Sequence, residues 1–594
     1  MTANFTTEVK LPFGLTWNSS VSFQKNNALH GEYYGSYYGR YPTSNFYNNP
    51  DPGIGLSHVL IGNLFGVNGS AFRSSYQNTF TTAESFLTWN KKFGEHSLSA
   101  VVGYAFQENV NGDGFRASTT NFLNDYVSYF NMALGNPYAI SSYRVDFGPS
   151  RIYEKTRLIS DFGRVNYNYK GRYLLQASLR RDGSSVFGAN NRWGYFPSAS
   201  VAWRLSGEKF LSNVKLINDL KLRASYGVSG NSGGVNAYNS QLIYGLQGTY
   251  YNAGVFDNAI VPSQANNPDL KWEEVATTNL GLDFTILNNK ISGSIDWYKK
   301  KTSDMIFPIS VSPAIVPGGR IVVNGGNVEN TGIEFMLNAT PVSTADFSWS
   351  TTLNMAHNKN NVTSLKNPYT NGDSTRYSDP EGPGQTGATL QLLKVGYPIG
   401  QYFTLSYAGK DANGVSQFYK RDGSKTSGAG FPSIGTDYWY MGNAQPKLLV
   451  GWNNNIRYKN FDLNFFLRGT FGHKIFNATR ADLSYVTAAG VNNLLSSASQ
   501  DKVADIKNSF YSNRYIESGS YVRMDNATLA YTFQKPAKGI SSIRLYITGN
   551  NLFTITDYSG IDPEINQGGI APGIDYNNFF PKTRTMMLGI NLTL

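Results

Sequence analysis

The feature that most restricts this chain is an alternation of period two, sustained over segments of about 10–18 residues from one end to the other. Leu98, Ala100, Val102, Tyr104 and Phe106 share one parity, as do Tyr173, Leu175, Ala177 and Leu179. Leu280, Leu282, Phe284 and Ile286 alternate with Asn279, Gly281, Asp283 and Thr285; Phe461, Leu463, Phe465 and Leu467 alternate with Asp462, Asn464 and Arg468. Ile543, Leu545 and Ile547 repeat the pattern, and Met586, Leu588, Ile590, Leu592 and Leu594 carry it to the last residue. Successive side chains of a strand point to opposite faces, so each segment reads as a strand with one apolar and one polar face.

The connections alternate too. Short turns fall at 91–95, 170–172, 287–290, 342–346 and 459–461. Long Gly-, Asn-, Ser- and Tyr-rich connections fall at roughly 26–71, 109–150, 230–271, 304–328, 360–445, 472–519 and 551–580. Short on one side and long on the other is the asymmetry of an outer-membrane β-barrel, which satisfies its backbone without showing a sheet edge to lipid. The pattern predicts an all-β, antiparallel transmembrane barrel of about 17 strands with long extracellular loops. A soluble propeller would need a fixed repeat period, and the loop lengths vary too much for one.

Composition agrees. Charged residues make up 15% and aromatic residues 14% of the chain, with 60 Gly among 594 residues. There is no Cys, which excludes disulfides, thiol nucleophiles and thiolate metal sites, and 5 His leave little for a zinc centre. The net charge of +11 is spread along the chain, with Lys299–Lys301 its densest cluster, and reads as solvated loop and strand-end charge rather than a nucleic-acid surface. No apolar run is long enough for a transmembrane helix, and the opening residues hold no signal-peptide core.

Chemical motifs are weak. The stretch 230–234 matches G-x-S-x-G around Ser232, but no helical pattern follows it, so a loop is the better reading than a nucleophile elbow. The stretch 409–423 offers Asp411, Asn413 and Asp422 without the spacing or final Glu of a calcium loop, and reads as a turn-rich hairpin. No catalytic residues, metal site or cofactor are expected.

Four blocks carry a resemblance. They are "NPDLKWEEVATTNLGLDFTILNNKISGSIDWYKKKTSDMI" at 267–306, "NVENTGIEFML" at 327–337, "GNAQPKLLVGWNNNIRYKNFDLNFFLRGTFGHKIFN" at 442–477 and "SIRLYITGNNLFTITDYSGIDPE" at 542–564. Together they resemble the SusC/RagA family of TonB-dependent outer-membrane transporters. The resemblance implies a bacterial outer-membrane location and a 22-stranded barrel, of which residues 1–594 would supply the last 17 or so strands. On that template the chain is N-terminally truncated, without plug domain, N-terminal extension or signal peptide. It further implies active import of oligosaccharides or peptides, a SusD-like lid lipoprotein, and the TonB complex acting through the absent N-terminal part. The alternative is a barrel that binds or adheres passively.

Three sets of residues stand out as candidates. Tyr33, Tyr34, Tyr37, Tyr38, Tyr41, Phe46 and Tyr47 crowd a loop suited to ligand or partner contact, or simply to packing on neighbouring loops. Parity points Arg180, Asp283, Asp296, Asp462 and Arg468 into the lumen, toward a plug or the transport path. Trp89, Trp203, Trp297, Trp452, Tyr458, Tyr531 and Phe533 are expected at the membrane interfaces.

Overall fold

The computed structural model describes residues 1–34, 70–120, 122, 126, 128–132, 143–146, 153–377, 389–427, 437–484, 493–501, 511–565, 568–576 and 580–594. Its main sheet has 18 strands, one of which, Tyr143–Asp146, is a short addition to a longer neighbour. The other 17 follow in chain order. They are β1 (Thr2–Leu11), β2 (Leu15–Tyr34), β3 (Ser70–Phe93), β4 (His96–Thr120), β5 (Glu154–Tyr169) and β6 (Tyr173–Ser184). Next come β7 (Trp193–Arg204), β8 (Ile217–Asn231), β9 (Glu273–Ile286), β10 (Ile291–Ser303), β11 (Asn327–Ser343) and β12 (Phe347–Ser364). The series closes with β13 (Leu448–Tyr458), β14 (Phe461–Phe471), β15 (Tyr521–Ala537), β16 (Ile540–Thr556) and β17 (Thr585–Thr593). Each pairs antiparallel with the next, and among the described residues β1 and β17 have one strand neighbour apiece.

Register converts the sequence alternation into two chemically distinct surfaces. Leu222, Leu282 and Ile295 lie in one cross-strand row; Arg223, Gly281 and Asp296 lie in the adjacent row, on the opposite face. The apolar face is bare: Leu280 is 51% and Leu588 85% exposed, a cost that only a lipid-facing wall removes. No described helix is long and apolar enough to cross a membrane.

The short turns lie where the alternation placed them, and left-handed backbone makes them tight. Lys170 and Gly171 (φ 58 and 66), Asn288 and Asn289 (φ 55 and 64) and Lys459 (φ 52) reverse the chain at that end. The long connections are shorter than expected, because pairing persists beyond the apolar stretch. β2 and β3 stay in register up to Tyr34 opposite Ser70, which corrects the placement of Tyr33 and Tyr34 from loop to strand. The polar, Gly-containing upper part of these long strands lacks the apolar signal, yet its backbone still gains ladder hydrogen bonds.

Among the described residues, buried cores form at the long-loop end. One unites Leu390, Tyr402, Phe476, Tyr511, Tyr515 and Ile574, drawn from three separate connections. A second gathers Phe187, Phe196, Val235, Leu270, Trp272 and Val322. A small sheet built mainly on Gln401–Lys410, Gln391–Lys394 and Tyr438–Asn443 stands over the first.

Candidate lumen and extracellular site

The polar face of the wall is a set of closed ion-pair networks. On β8–β10, Arg223 donates to Asp283 at 2.8 and 3.0 Å and to Asp296 at 3.0 Å, while Lys221 reaches Asp283 at 2.7 Å. Gly281 makes the space for it: a Cβ there would fall 2.6 Å from Asp296 Oδ1 and 2.7 Å from the Arg223 guanidinium carbon. Sequence parity found Asp283 and Asp296 but passed over Lys221 and Arg223, although they alternate with Leu220, Leu222 and Ala224 in the same way. Arg180 donates to Asp182 at 2.8 Å and to Ser160 at 2.6 Å, so it too is held by neighbours on the wall. Asp462 stands at the short-turn end, 4.0 Å from Arg544.

A denser network sits near the long-loop end, where Arg468 of β14 lies directly opposite Arg523 of β15. Two cations face to face require acids, and the connection 557–584 supplies two of them. Arg468 holds Asp525 (2.8 and 3.1 Å) and Glu564 (2.9 and 2.8 Å) in two-pronged contacts. Arg523, 2% exposed, donates to Asp562 at 2.5 Å and to Glu564 at 3.1 Å; Lys582 adds a contact to Glu564 at 2.6 Å. Burial on its own would raise the Glu564 carboxyl, but the hydrogen bonds from Arg468 and Lys582 hold it down at about 2. Of these residues only Arg468 was legible from parity; Asp562 and Glu564 lie in an irregular stretch where no period exists to read.

The same connection is fixed a second time. Tyr402 Oη and the Phe476 amide both donate to the Gly573 carbonyl (2.6 and 2.9 Å), and Gln391 Nε2 donates to Pro572 O at 2.7 Å. Tyr558 donates to Asp575, whose carboxyl is pushed up by burial. Three long connections thus form one cap rather than separate loops. Between the two networks the lumen wall dips into a groove of about 620 Å³, lined by Asp296, Glu334, Met336, Asn354, Phe466 and Arg468.

The second extracellular body supports a projection. The hairpin Ile243–Asn252 and Val255–Gln264 is fixed at its base, where Ala265 N donates to Arg320 O (2.9 Å) and Gln264 Nε2 to Tyr238 O (2.9 Å). Its far part is bare: Leu246, Tyr251, Phe256 and Ile260 are each between 66% and 72% exposed.

The remaining candidates fall as follows. Tyr33 ends on β2 with its ring edge-on to Phe122 at 5.3 Å; Tyr37, Tyr38, Tyr41, Phe46 and Tyr47 lie outside the described residues. Trp89 and Trp203 sit near the short-turn end, Trp89 donating to Phe13 O (3.0 Å) and Trp203 to Glu208 (3.2 Å). Tyr458 closes β13 there, and Tyr531 stacks edge-on between Phe461 and Phe533. Trp297 and Trp452 sit farther in from the strand ends, opposite Leu280 and Leu353. After Ser232 the chain turns rather than entering a helix. Asp411 accepts the amides of Asn413 and Val415 (2.9 Å each), as a turn-forming Asp does, and no metal-holding cluster exists among the described residues.

Comparison with known proteins accounts for this architecture. The family model for the TonB dependent receptor-like β-barrel matches residues 2–552. The TonB-dependent receptor P3 of Formosa agariphila is 32% identical over 89% of this chain and 53% of its own length. The TonB-dependent receptor SusC of Bacteroides thetaiotaomicron is 31% identical over 84% of this chain and 53% of its own. The chain therefore spans about half the length of the curated relatives it matches. The RagAB peptide transporter superposes over 100% of this chain and 61% of the solved one, with a TM-score of 0.79 at 21% identity. These relatives are receptors and transporters rather than enzymes. With a matching family model over nearly all of its length, the chain belongs to the TonB-dependent receptor-like β-barrel family of the bacterial outer membrane.

Proposed function

We propose that this barrel forms the wall and extracellular mouth of a SusC-like active importer of oligosaccharides or peptides. The observation that carries the reading is the cap. Loops pre-packed into rigid bodies over a polar lumen suit the enclosure of a large solute better than passive diffusion does. The similar RagAB is a peptide transporter, which supports the peptide class; the oligosaccharide class rests on the family resemblance. Energy would reach the barrel from the TonB complex through a plug seated on the lumen networks, Arg180, Asp283, Asp296, Asp462 and Arg468 among them. The partner is a SusD-like lipoprotein lid, for which the bare hairpin at 243–264, with Asp257 as its sole charged side chain, offers an apolar seat. Tyr37, Tyr38, Tyr41, Phe46 and Tyr47 would add ligand or partner contacts of their own.

The test is uptake in the source bacterium. Growth on an oligosaccharide or peptide mixture should depend on this gene, fall with loss of TonB, and fall again when residues 244–262 are replaced by a Gly-Ser linker. Uptake unaffected by TonB loss would favour the alternative of a passive binding or adhesive barrel.

A further inference from the structure

The outer face of the wall carries a depression that neither the lumen nor the cap uses. It spans β6–β10, holds about 760 Å³, and is lined by Leu175, Val201, Leu222, Leu280 and Ile295, with Trp203 toward the short-turn end and Trp297 opposite Leu280. Register explains it. Ala224 stands between Val201 on one neighbouring strand and Leu280 on the other, so a single methyl forms the floor between larger outward side chains.

The groove runs toward the short-turn end, where its chemistry changes in order. First come Tyr173 and Trp203, whose Oη and Nε1 both donate to Glu208 (2.8 and 3.2 Å), rings inward and polar tips at the rim. Arg172 also approaches Glu208, at 3.5 Å, so this carboxylate is occupied three times over. Beyond lies the connection 205–216, longer than the other turns at this end. It shows Phe210 (65% exposed) and Leu216 (55% exposed) to the outside, with the Phe210 ring edge-on to Trp203 at 6.5 Å. Lys209 and Lys215 flank these two, both exposed, and neither meets a carboxylate among the described residues.

Apolar groove, aromatic pair and free cations, arranged from the middle of the membrane to its edge, is the order of an amphiphile's own parts. We propose that this face binds one phospholipid of the periplasmic leaflet, with an acyl chain in the groove over Ala224 and an anionic headgroup on Lys209 and Lys215. A lipid satisfies both ends at once. A protein seated on the groove would also have to desolvate the two lysines, and among the described residues the carboxylate nearest in sequence, Glu208, is already taken by Arg172, Tyr173 and Trp203.

The experiment is native mass spectrometry of the full chain extracted in mild detergent, with phosphatidylglycerol or phosphatidylcholine added back in micelles. The unaltered protein should retain one phosphatidylglycerol through detergent exchange, at least several-fold better than phosphatidylcholine. Glycerol phosphate should not compete, since the chain as well as the headgroup is held. Ala224→Trp should cut retention about tenfold, whereas Ala100→Trp, an outward substitution on β4, should not. Lys209→Gln with Lys215→Gln should erase the headgroup preference and leave the chain bound; these surface changes test the proposal even where Ala224→Trp folds poorly, as judged by heat-dependent gel mobility. Equal losses from Ala224→Trp and Ala100→Trp would overturn the site, leaving only general lipid contact. Displacement by glycerol phosphate, or a shift in oligomeric state with Ala224→Trp in place of lipid loss, would overturn it as well.

Discussion

The cap and the wall are built from one chain by opposite rules. In the cap, Tyr402, Phe476 and Leu390 are fully buried, and the side chains of Tyr402, Gln391 and Thr404 donate to backbone carbonyls of other connections, as in a water-soluble domain. In the wall, Leu280, Ile547 and Leu588 point outward and bare, while Arg223, Asp283 and Arg468 point inward and pair across strands. The wall takes its order from backbone ladders and the bilayer, the cap from side-chain packing. The difference teaches that the described parts of the connections 365–447, 472–520 and 557–584 are not tethers waiting for a ligand. They share one buried core that is formed without a ligand.

The largest effect should come from emptying the cap core. Phe476→Ala removes a ring with no exposure, packed edge-on to Tyr511 at 5.3 Å, and should cost the cap about 3–5 kcal/mol. Hydrogen exchange should rise across 389–410, 511–516 and 572–575 while β9–β12 keep their protection. Equal loosening of cap and wall would show that the two do not fold by separate rules. The reciprocal change is Leu280→Arg, halfway along β9 on the outer face. In a water-facing wall it would be neutral, since Leu280 is already 51% exposed; in a bilayer it should cost about 2–4 kcal/mol. Urea unfolding in vesicles distinguishes these, and a neutral result would contradict the lipid-facing assignment.

These two substitutions also mark what could be read from sequence. Leu280 belongs to an alternation with period two, so its face and its class of neighbours follow from counting. The family resemblance rested on the same stretches, such as 267–306 with Trp272, Leu282 and Asp296. Phe476 and Tyr402 sit in connections without period, and their partners, Tyr511 for the one and Gly573 for the other, lie in different connections, so nothing local announces them. Arg223 shows the intermediate case. Its inward direction was countable, but its role depends on Asp283, Asp296 and the missing side chain of Gly281 on two other strands. Tyr33 shows the reverse error: a Tyr- and Gly-rich stretch resembles loop, yet backbone pairing with β3 carries the strand through it.

Gly281 gives a smaller effect that belongs to the wall's inner face alone. Gly281→Val would place carbon where Arg223 and Asp296 meet, and should cost about 1–3 kcal/mol by overpacking. The outer face, with Leu280 and Leu282, keeps its register, so strand content by circular dichroism should not change. Asp296→Ala in the same chain should relieve part of the cost by opening space. Full additivity of the two would mean that Gly281 and Asp296 do not share the contact.

The smallest expected effect is electrostatic and sits on the seam between the regions. Glu564 joins the connection 557–584 to Arg468 and Arg523 of the wall, and its carboxyl is lowered from 4.5 to about 2 in the folded protein. A lowered folded value means that its stabilising contribution is whole above about pH 4.5 and is lost as pH falls toward about 2. Asp575, in the same connection, is raised by burial and so titrates with the opposite sign. Pepsin cleavage within 557–584 should therefore increase only modestly from pH 4.5 to 2.5. Glu564→Gln should already show the looser pattern at pH 4.5 and change less below it. An identical acid profile in the two proteins would move the pH response from the seam to the cap, where Asp575 is buried.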